Sequence, residues 1–204
     1  ILEHSDVPHD IVRGSLSAIN LYMLAYKYRH PGNVVVLDDA DSIFNDEEAL
    51  NILKALCDTS SSRKVSYMKE APQLRENDIP QQFEFDGAMI FISNLDFQTF
   101  VDEGKNKYAQ HFEALMSRSH YIETALRRQR DYLVRIRMVV EAGMLSDLGF
   151  TKQEETDILD FIDRNSSKLR ELTLRAVVKL AGLYKANPKS WEKIAAVTMF
   201  RRGC

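Results

Sequence analysis

Acidic side chains follow directly after an apolar run near the start of this chain. The run Val34–Leu37 is followed by Asp38, Asp39 and, after one alanine, Asp41. Such a run predicts a strand that is buried on both faces and carries carboxylates at its C-terminal end. In open α/β sheets, ligands bind at that end. A first Asp there can hold Mg²⁺ on a nucleotide and a second can orient a water, although a buried strand also ends in Asp without any catalytic reason.

A second apolar run has a polar end of the same kind. Residues Ala88–Ile92 predict another fully buried strand, and Ser93 and Asn94 follow it. Both runs are therefore predicted to be buried strands that end in polar residues.

Strand and helix patterns alternate over the first 125 residues. Strands are expected at 9–13, 33–38, 64–68, 83–85 and 88–92, and helices at 18–29 and 46–57. The polar stretch 69–82 is expected to be a loop, and Asp86-Gly87 a turn. This alternation is typical of an α/β fold with a mainly parallel sheet.

Only helical patterns follow. A basic amphipathic helix is expected at 128–142, and the capping box Thr151-Lys152-Gln153-Glu154 opens a helix that runs to about 163. Thr173 is expected to cap a helix to about 186, and Asn187-Pro188 to begin a helix at 189–200. The chain is therefore expected to have an α/β domain over 1–125 and a small all-helical domain over 126–204.

Composition excludes several classes of protein. The net charge of −3 argues neither for nor against nucleic acid as a partner, and no apolar run is long enough to span a membrane. Cys57 and Cys204 form neither a disulfide framework nor a zinc pattern, and the five histidines lack ligand spacing. We expect a protein of the reducing cytoplasm, with Cys57 as a small core residue.

The ordered set of motifs resembles the AAA+ ATPases. Val34–Asp39 is similar to the Walker B strand of that family, and Ile90–Asn94 to its sensor 1 strand. Leu115–Ser119 resembles the segment that presents an arginine finger to a neighbouring subunit, and Leu172–Arg175 the start of the lid helix that carries the sensor 2 arginine. The overall amino-acid sequence most resembles AAA+ ATPases of phage origin. The resemblance implies a partial P-loop NTPase core followed by a helical lid domain.

The resemblance also implies a role for each matched side chain. Asp38 would hold Mg²⁺ and Asp39 would orient or deprotonate the attacking water. Asn94 would hydrogen-bond the γ-phosphate or that water. Arg118 would stabilise transition-state charge across a subunit boundary, and Arg175 would bind ATP from the same subunit.

Each role has a structural alternative. Asn94 can simply end a strand and bond its own loop, and Arg118 can form an ordinary surface ion pair. Asp41 is better explained as a residue at a helix start than as a metal ligand. Arg170 competes with Arg175 for the nucleotide.

The sequence departs from the family pattern in two respects. The family usually has Glu where this chain has Asp39, which is shorter by one methylene. In addition, these 204 residues contain no G-x-x-x-x-G-K-[ST] pattern, so they are expected to begin after the Walker A motif.

The resemblance predicts an ATP-hydrolysing motor that works as a homo-oligomeric ring on a macromolecule, DNA or protein. One interpretation is a phage DNA replication or loading role, and a second is a protein remodeller or unfoldase. A third is a non-catalytic assembly subunit. Gly14–Ser17 and Lys69–Gln82 occupy the places of substrate-facing pore loops, and ordinary surface loops would look the same. A basic series has two interpretations, contacts with DNA phosphates or a solvated helix face; its members are Arg127, Arg128, Arg130, Arg135 and Arg137.

Overall fold

The computed structural model describes residues 5–124, 126 and 128–203. The chain divides into two compact units, Ile1–Ile122 (unit 1) and Glu123–Cys204 (unit 2). Unit 1 contains both strands and helices, whereas unit 2 is helical apart from an isolated bridge between Leu169 and Phe200 in its described part. No helix among the described residues is long and apolar enough to cross a membrane.

Unit 1 has an α/β arrangement: helices connect the strands of a small parallel sheet along the chain, and two more helices follow the last strand. Its strands are β1 (His9–Arg13), β2 (Val34–Asp38), β3 (Lys64–Ser66), β4 (Gln82–Glu84) and β5 (Ala88–Ile92). Its helices are α1 (Ala18–Lys27), a 3₁₀ helix (Asp41–Asn45), α2 (Glu47–Leu56), α3 (Pro72–Glu76), α4 (Phe97–Glu103) and α5 (Ala109–Ser117). The α/β class predicted from the alternating patterns is confirmed.

The parallel sheet has the order β1-β2-β5. Val12, Leu37 and Phe91 lie side by side in register and contact the core of unit 1. The neighbouring row lies on the opposite face, because successive side chains of a strand alternate. On that face β5 exposes 42% of Ile90 and 51% of Ile92. The sheet is therefore covered on one face and partly open on the other, and the prediction of a fully buried strand at 88–92 was wrong for the open face.

Helices α1 and α2 of unit 1 begin at residues whose side chains cap them. Ser17 accepts a hydrogen bond from the N–H of Asn20 at the start of α1, and Asp46 accepts from Glu48 and Ala49 at the start of α2. Leu53, on the buried face of α2, is fully enclosed by the core. Cys57 at the end of α2 packs against this core, as predicted, and burial raises the pKa of its thiol to about 11.

The segment between α2 and β5 differs from the prediction. β4 pairs antiparallel with β3, in the register Val65 opposite Phe83, and does not form a hairpin with β5. The backbone N–H of Asp86 instead donates to Arg29 O. The predicted loop 69–82 contains α3, whose first residue is Pro72, a position where the missing N–H costs nothing.

Unit 2 is built from helices around its own apolar core. They are α6 (Gln129–Val139), a π-helical turn (Val140–Met144), a 3₁₀ turn (Ser146–Leu148), α7 (Lys152–Asn165), α8 (Leu174–Ala186) and α9 (Trp191–Met199). The Thr151–Glu154 capping box and the Thr173 cap are both confirmed. The prediction for the last helix was wrong at its start: Asn187 N–H donates to Leu183 O and closes α8, so α9 begins only after Ser190.

Candidate active site

The polar side chains of Asp38, Asp39 and Asn94 lie at the C-terminal edge of the parallel sheet. Arg13, Asp38 and Ile92 end their strands in the same register row. Asp39 and Asn94 follow β2 and β5 immediately, and the Asn94 amide nitrogen Nδ2 donates to Asp39 Oδ1 at 2.9 Å. The sequence-predicted residues Asp38, Asp39 and Asn94 are thus brought together.

Asp39 has an unusual backbone. Its φ is 55°, in the left-handed region that a non-glycine residue adopts at some energetic cost. Its N–H donates to Ile92 O at 3.0 Å, which ties the end of β2 to the end of β5. The carboxylate is exposed apart from its bond with Asn94. A strained backbone that presents an exposed acidic group is a reason to suspect function there.

Asp38 has a cationic partner that the sequence did not reveal. Arg13 Nε donates to Asp38 Oδ2 at 2.8 Å, with 66% of the Arg13 side chain and 24% of the Asp38 side chain exposed. In the sequence, Arg13 is recognisable only as the last residue of the predicted first strand. That position points to Asp38 only when β1 and β2 are known to be parallel neighbours. Asp38 is therefore held by a charge-assisted hydrogen bond.

Asp41 lies next to the site in a structural role. It is the first residue of the 3₁₀ helix, and Ser93 Oγ donates to its Oδ1 at 2.6 Å. Ser93 Oγ in turn accepts from the N–H of Leu95 at 3.0 Å. This chain of bonds fixes the loop that carries Asn94, in agreement with a helix-start residue rather than a metal ligand.

The donor set at this edge fits a metal that is shared with a substrate. Among the described residues, no three His, Cys, Asp or Glu side chains are grouped so that they could hold a metal ion. Mg²⁺ at phosphate-transfer sites is usually bound by one or two carboxylates, with waters and substrate phosphates as the other ligands. Asp38 with Asp39 matches that smaller requirement.

Arg118 lies at the opposite edge of the sheet. Arg63 binds both Leu56 O and Gly87 O, so the end of α2 is next to the start of β5, and Asn94 follows the end of that strand. Asp58, just after α2, lies 3.9 Å from Arg118 Nε. The contacts of Arg118 with described residues lead to the start of β5, and none of them joins it to Asn94 within one copy.

The neighbours of Arg118 hold it at that edge. Its Nη1 donates to Ala114 O at 2.9 Å, and about a third of its side chain is exposed. Hydrogen bonds from Ser60 and the Thr59 N–H, and more weakly the charge of Arg118, keep the pKa of Asp58 below its usual value. Asp58 is therefore an anion at neutral pH, and the surface ion pair foreseen as the structural alternative is present.

Arg175 and Arg170 differ in whether their guanidinium groups are bonded to other residues. Arg175 is exposed in the first turn of α8, and it has no hydrogen bond or ion pair to any described residue. Arg170 donates through Nη2 to Thr198 O, and its N–H donates to Met199 O. Of the two candidates in unit 2, Arg175 is the one whose guanidinium is available to a ligand.

The basic series lies mainly on α6. Arg128, Arg130 and Arg135 are exposed and make no ion pair with other described residues, whereas Arg137 pairs with Asp163. Arg127 lies outside the described residues. The helix face between these arginines also exposes Val134 and Met138, by 49% and 64%. The solvated face is therefore partly apolar.

The fold and the site together define an α/β protein with carboxylates at the C-terminal edge of a parallel sheet. The chain is 32% identical over 190 residues to an uncharacterised 36.7 kDa protein from the nrdC-mobD intergenic region of Enterobacteria phage T4. The match covers 93% of this chain but 58% of the phage protein, so the chain spans less than two thirds of that relative. No family model and no solved structure matches the chain.

Proposed function

We propose that this chain is the ATP-hydrolysing module of a phage-type AAA+ protein. The observation that carries the proposal is the Asp39–Asn94 hydrogen bond at the sheet edge, beside Asp38. Two acidic residues and an amide at the ends of adjacent parallel strands are the groups that hydrolysis of ATP requires, because such hydrolysis depends on positioning and charge neutralisation.

Each group has a defined task in this proposal. Asp38 is the protein ligand of Mg²⁺, which neutralises charge on the ATP phosphates when bound. Asp39 accepts the proton of the attacking water or orients it, and Asn94 positions the Asp39 carboxylate and the γ-phosphate. The exposed carboxylate of Asp39, on a backbone with positive φ, supports this assignment, because it is open to a water molecule.

The open side of β5 supports a larger P-loop sheet. Among the described residues β5 pairs only with β2, and its outer face exposes Ile90 and Ile92. An apolar strand with one free edge and one open face is suited to a further parallel strand and its helix. We assign that place to the strand and helix that carry a phosphate-binding loop.

Unit 2 is the lid in this proposal. A cleft of 370 Å³ lies beside the start of α8 and is lined by residues that include Gln129, Tyr132, Leu172 and Thr173. Its mixed apolar and polar lining suits part of a nucleotide. Arg175, in the first turn of the same helix, is the cation that we assign to the phosphates.

Opposite charges on the two units favour head-to-tail assembly into a ring. Unit 1 carries 11 Lys and Arg against 19 Asp and Glu, whereas unit 2 carries 16 against 11. Interfaces between unlike surfaces generate rings when the rotation closes. Within the described part of the chain, Arg118 makes no hydrogen bond with Asn94 of its own copy, which suits a residue that acts on the next copy. We assign the exposed α6 face, Arg130, Val134, Arg135 and Met138, to this interface.

The macromolecule that the ring moves is DNA in the interpretation that we favour, in phage replication or loading within the bacterial host cytoplasm. A protein remodeller is the alternative, and stimulation of ATP turnover by DNA or by unfolded protein separates the two. The Arg13–Asp38 ion pair favours a third candidate, a non-catalytic assembly subunit, because it neutralises the proposed metal ligand.

Steady-state ATPase measurements on the full-length protein test the proposal. We expect Asp39→Asn to lower kcat at least about 100-fold with nucleotide binding retained, because loss of a positioned base typically costs that much. Asp78→Asn is the matched control, since Asp78 also has a positive φ and lies outside the site. Equal turnover by wild type and Asp39→Asn would reject a catalytic role for this edge, and no turnover by wild type would favour the assembly subunit.

A further inference from the structure

The Arg13–Asp38 ion pair is the best-defined charged contact at the candidate active site. The two residues are register partners at the ends of adjacent strands, and 2.8 Å separates Arg13 Nε from Asp38 Oδ2. Asp39, in contrast, is bonded to the neutral amide of Asn94. Of the two carboxylates proposed to act on Mg²⁺ and water, Asp38 is therefore the one whose oxygen already faces a cation.

A guanidinium and a divalent cation compete for the same carboxylate oxygens. Arginine is charged at every physiological pH, so the pair cannot be relieved by loss of a proton. It can be relieved by movement, because two thirds of the Arg13 side chain is exposed. Gly14 follows with φ of 95°, and glycine is the residue with the greatest backbone freedom.

We propose that Arg13 is an exchangeable counter-ion of Asp38 that divalent metal must displace. The inference rests on the proposed function, since it takes Asp38 as the metal ligand. Arg13 occupies the carboxylate when no metal is bound, and it keeps the acidic edge from binding metal before substrate phosphates add their own charge. Arg13 is a positioning residue in this scheme, because it acts through Asp38.

Equilibrium binding of Mn²⁺ alone, followed by the electron paramagnetic resonance signal of the free ion, tests this inference on the whole chain. Removal of Arg13 by Arg13→Gln is expected to tighten Mn²⁺ binding about two- to fivefold, the range set by the strength of exposed ion pairs. Arg13→Lys restores the charge and is expected to bind Mn²⁺ as wild type does. Unchanged or weaker binding by Arg13→Gln would overturn the inference.

Two further variants separate the failure of this inference from the failure of the proposed site. Lys69→Gln breaks an ion pair with Glu48 that is also 2.8 Å long and similarly exposed, and it should leave Mn²⁺ binding unchanged. Tighter binding by Lys69→Gln would count against Arg13, because it would reflect net charge alone. Asp38→Asn should weaken binding in any case; if it does not, the metal site itself is wrong, whatever Arg13→Gln does.

Discussion

Asp39 and Asn94 are joined by a hydrogen bond of 2.9 Å that links the ends of two adjacent parallel strands. The bond lies beside a second tie, from the Asp39 N–H to Ile92 O. Together they hold Asp39 in a left-handed conformation in which its carboxylate is exposed. The left-handed backbone costs conformational energy at Asp39, and the same conformation presents the carboxylate that we propose to be catalytic.

Replacement of Asp39 by glycine is expected to stabilise unit 1 while it abolishes ATP turnover. Glycine adopts positive φ without strain, so the free energy of unfolding should rise by about 0.5 kcal/mol. Asp78→Gly, at φ of 53°, should give a similar gain with normal turnover. Thermal unfolding and ATPase assays of both variants check this; lower stability of Asp39→Gly would show that its side-chain contact outweighs the strain.

Mixing two inactive variants tests whether Arg118 acts on a neighbouring copy. Asp39→Asn and Arg118→Ala should each lose turnover, by about 100-fold or more. A ring assembled from both contains interfaces with an intact Asp39 on one side and an intact Arg118 on the other, so activity should partly return. The measurement is ATPase rate against mixing ratio. A mixture as inactive as its components would contradict action across a subunit boundary.

Charge reversal on α6 is expected to weaken assembly. Arg130→Glu with Arg135→Glu places anions on the exposed face beside Val134 and Met138. These anions would repel the acidic unit 1 that we propose as its partner in the next copy. Light scattering should show a smaller particle for the double variant. Lys189→Glu with Lys193→Glu makes the same change in net charge elsewhere on unit 2 and should assemble normally. Loss of DNA binding with an unchanged particle mass would instead make α6 a nucleic-acid surface.

Low pH is expected to remove the contribution of the Glu155 carboxylate to the free energy of unfolding of unit 2. Hydrogen bonds from Lys152 and then Ser146 hold the pKa of the buried Glu155 carboxyl below its ordinary value. A lowered folded-state pKa stabilises the fold fully above the unfolded value of about 4.3 and loses that effect as the pH falls through the folded value. Wild type should therefore be more stable than Glu155→Gln at pH 7.

The difference between these two proteins should shrink as the pH falls below about 4.3, in denaturant titrations followed by circular dichroism. Glu154→Gln is a useful comparison, because its carboxyl also has a lowered pKa but is exposed in the capping box. A difference for Glu155→Gln that stays constant from pH 7 to pH 3 would show that shape rather than charge matters at this position.

The strands β2 and β5 could be predicted because each is a short apolar run that ends in polar residues. The run before Asp38 and the run Ala88–Ile92 are apolar on both faces, and the parallel-sheet rule then brings Asp39 to Asn94. The caps at Thr151 and Thr173 were equally readable, because a side-chain oxygen and its N–H partner are close in sequence.

The remaining features depend on partners that are distant in sequence. Arg13 meets Asp38 only because β1 is the neighbour of β2, which no local pattern states. β3 and β4 have three residues each, too few for a periodicity, and Asp86-Gly87 has turn chemistry without forming the hairpin. At Asn187, a cap residue and a following proline suggested a helix start, whereas the preceding helix used that residue for its own end.

The free edge of β5 has a consequence for handling this chain at high concentration. Among the described residues β5 has a partner on one side alone, and such an apolar strand edge beside exposed Ile90 and Ile92 is a template for another extended segment, including the same strand of a second molecule. Natural sheets protect such edges with charges, bulges or coverage, and Ala88–Ile92 contains no charged residue. The tendency of the protein to aggregate at high concentration is therefore expected to fall when another strand pairs with β5.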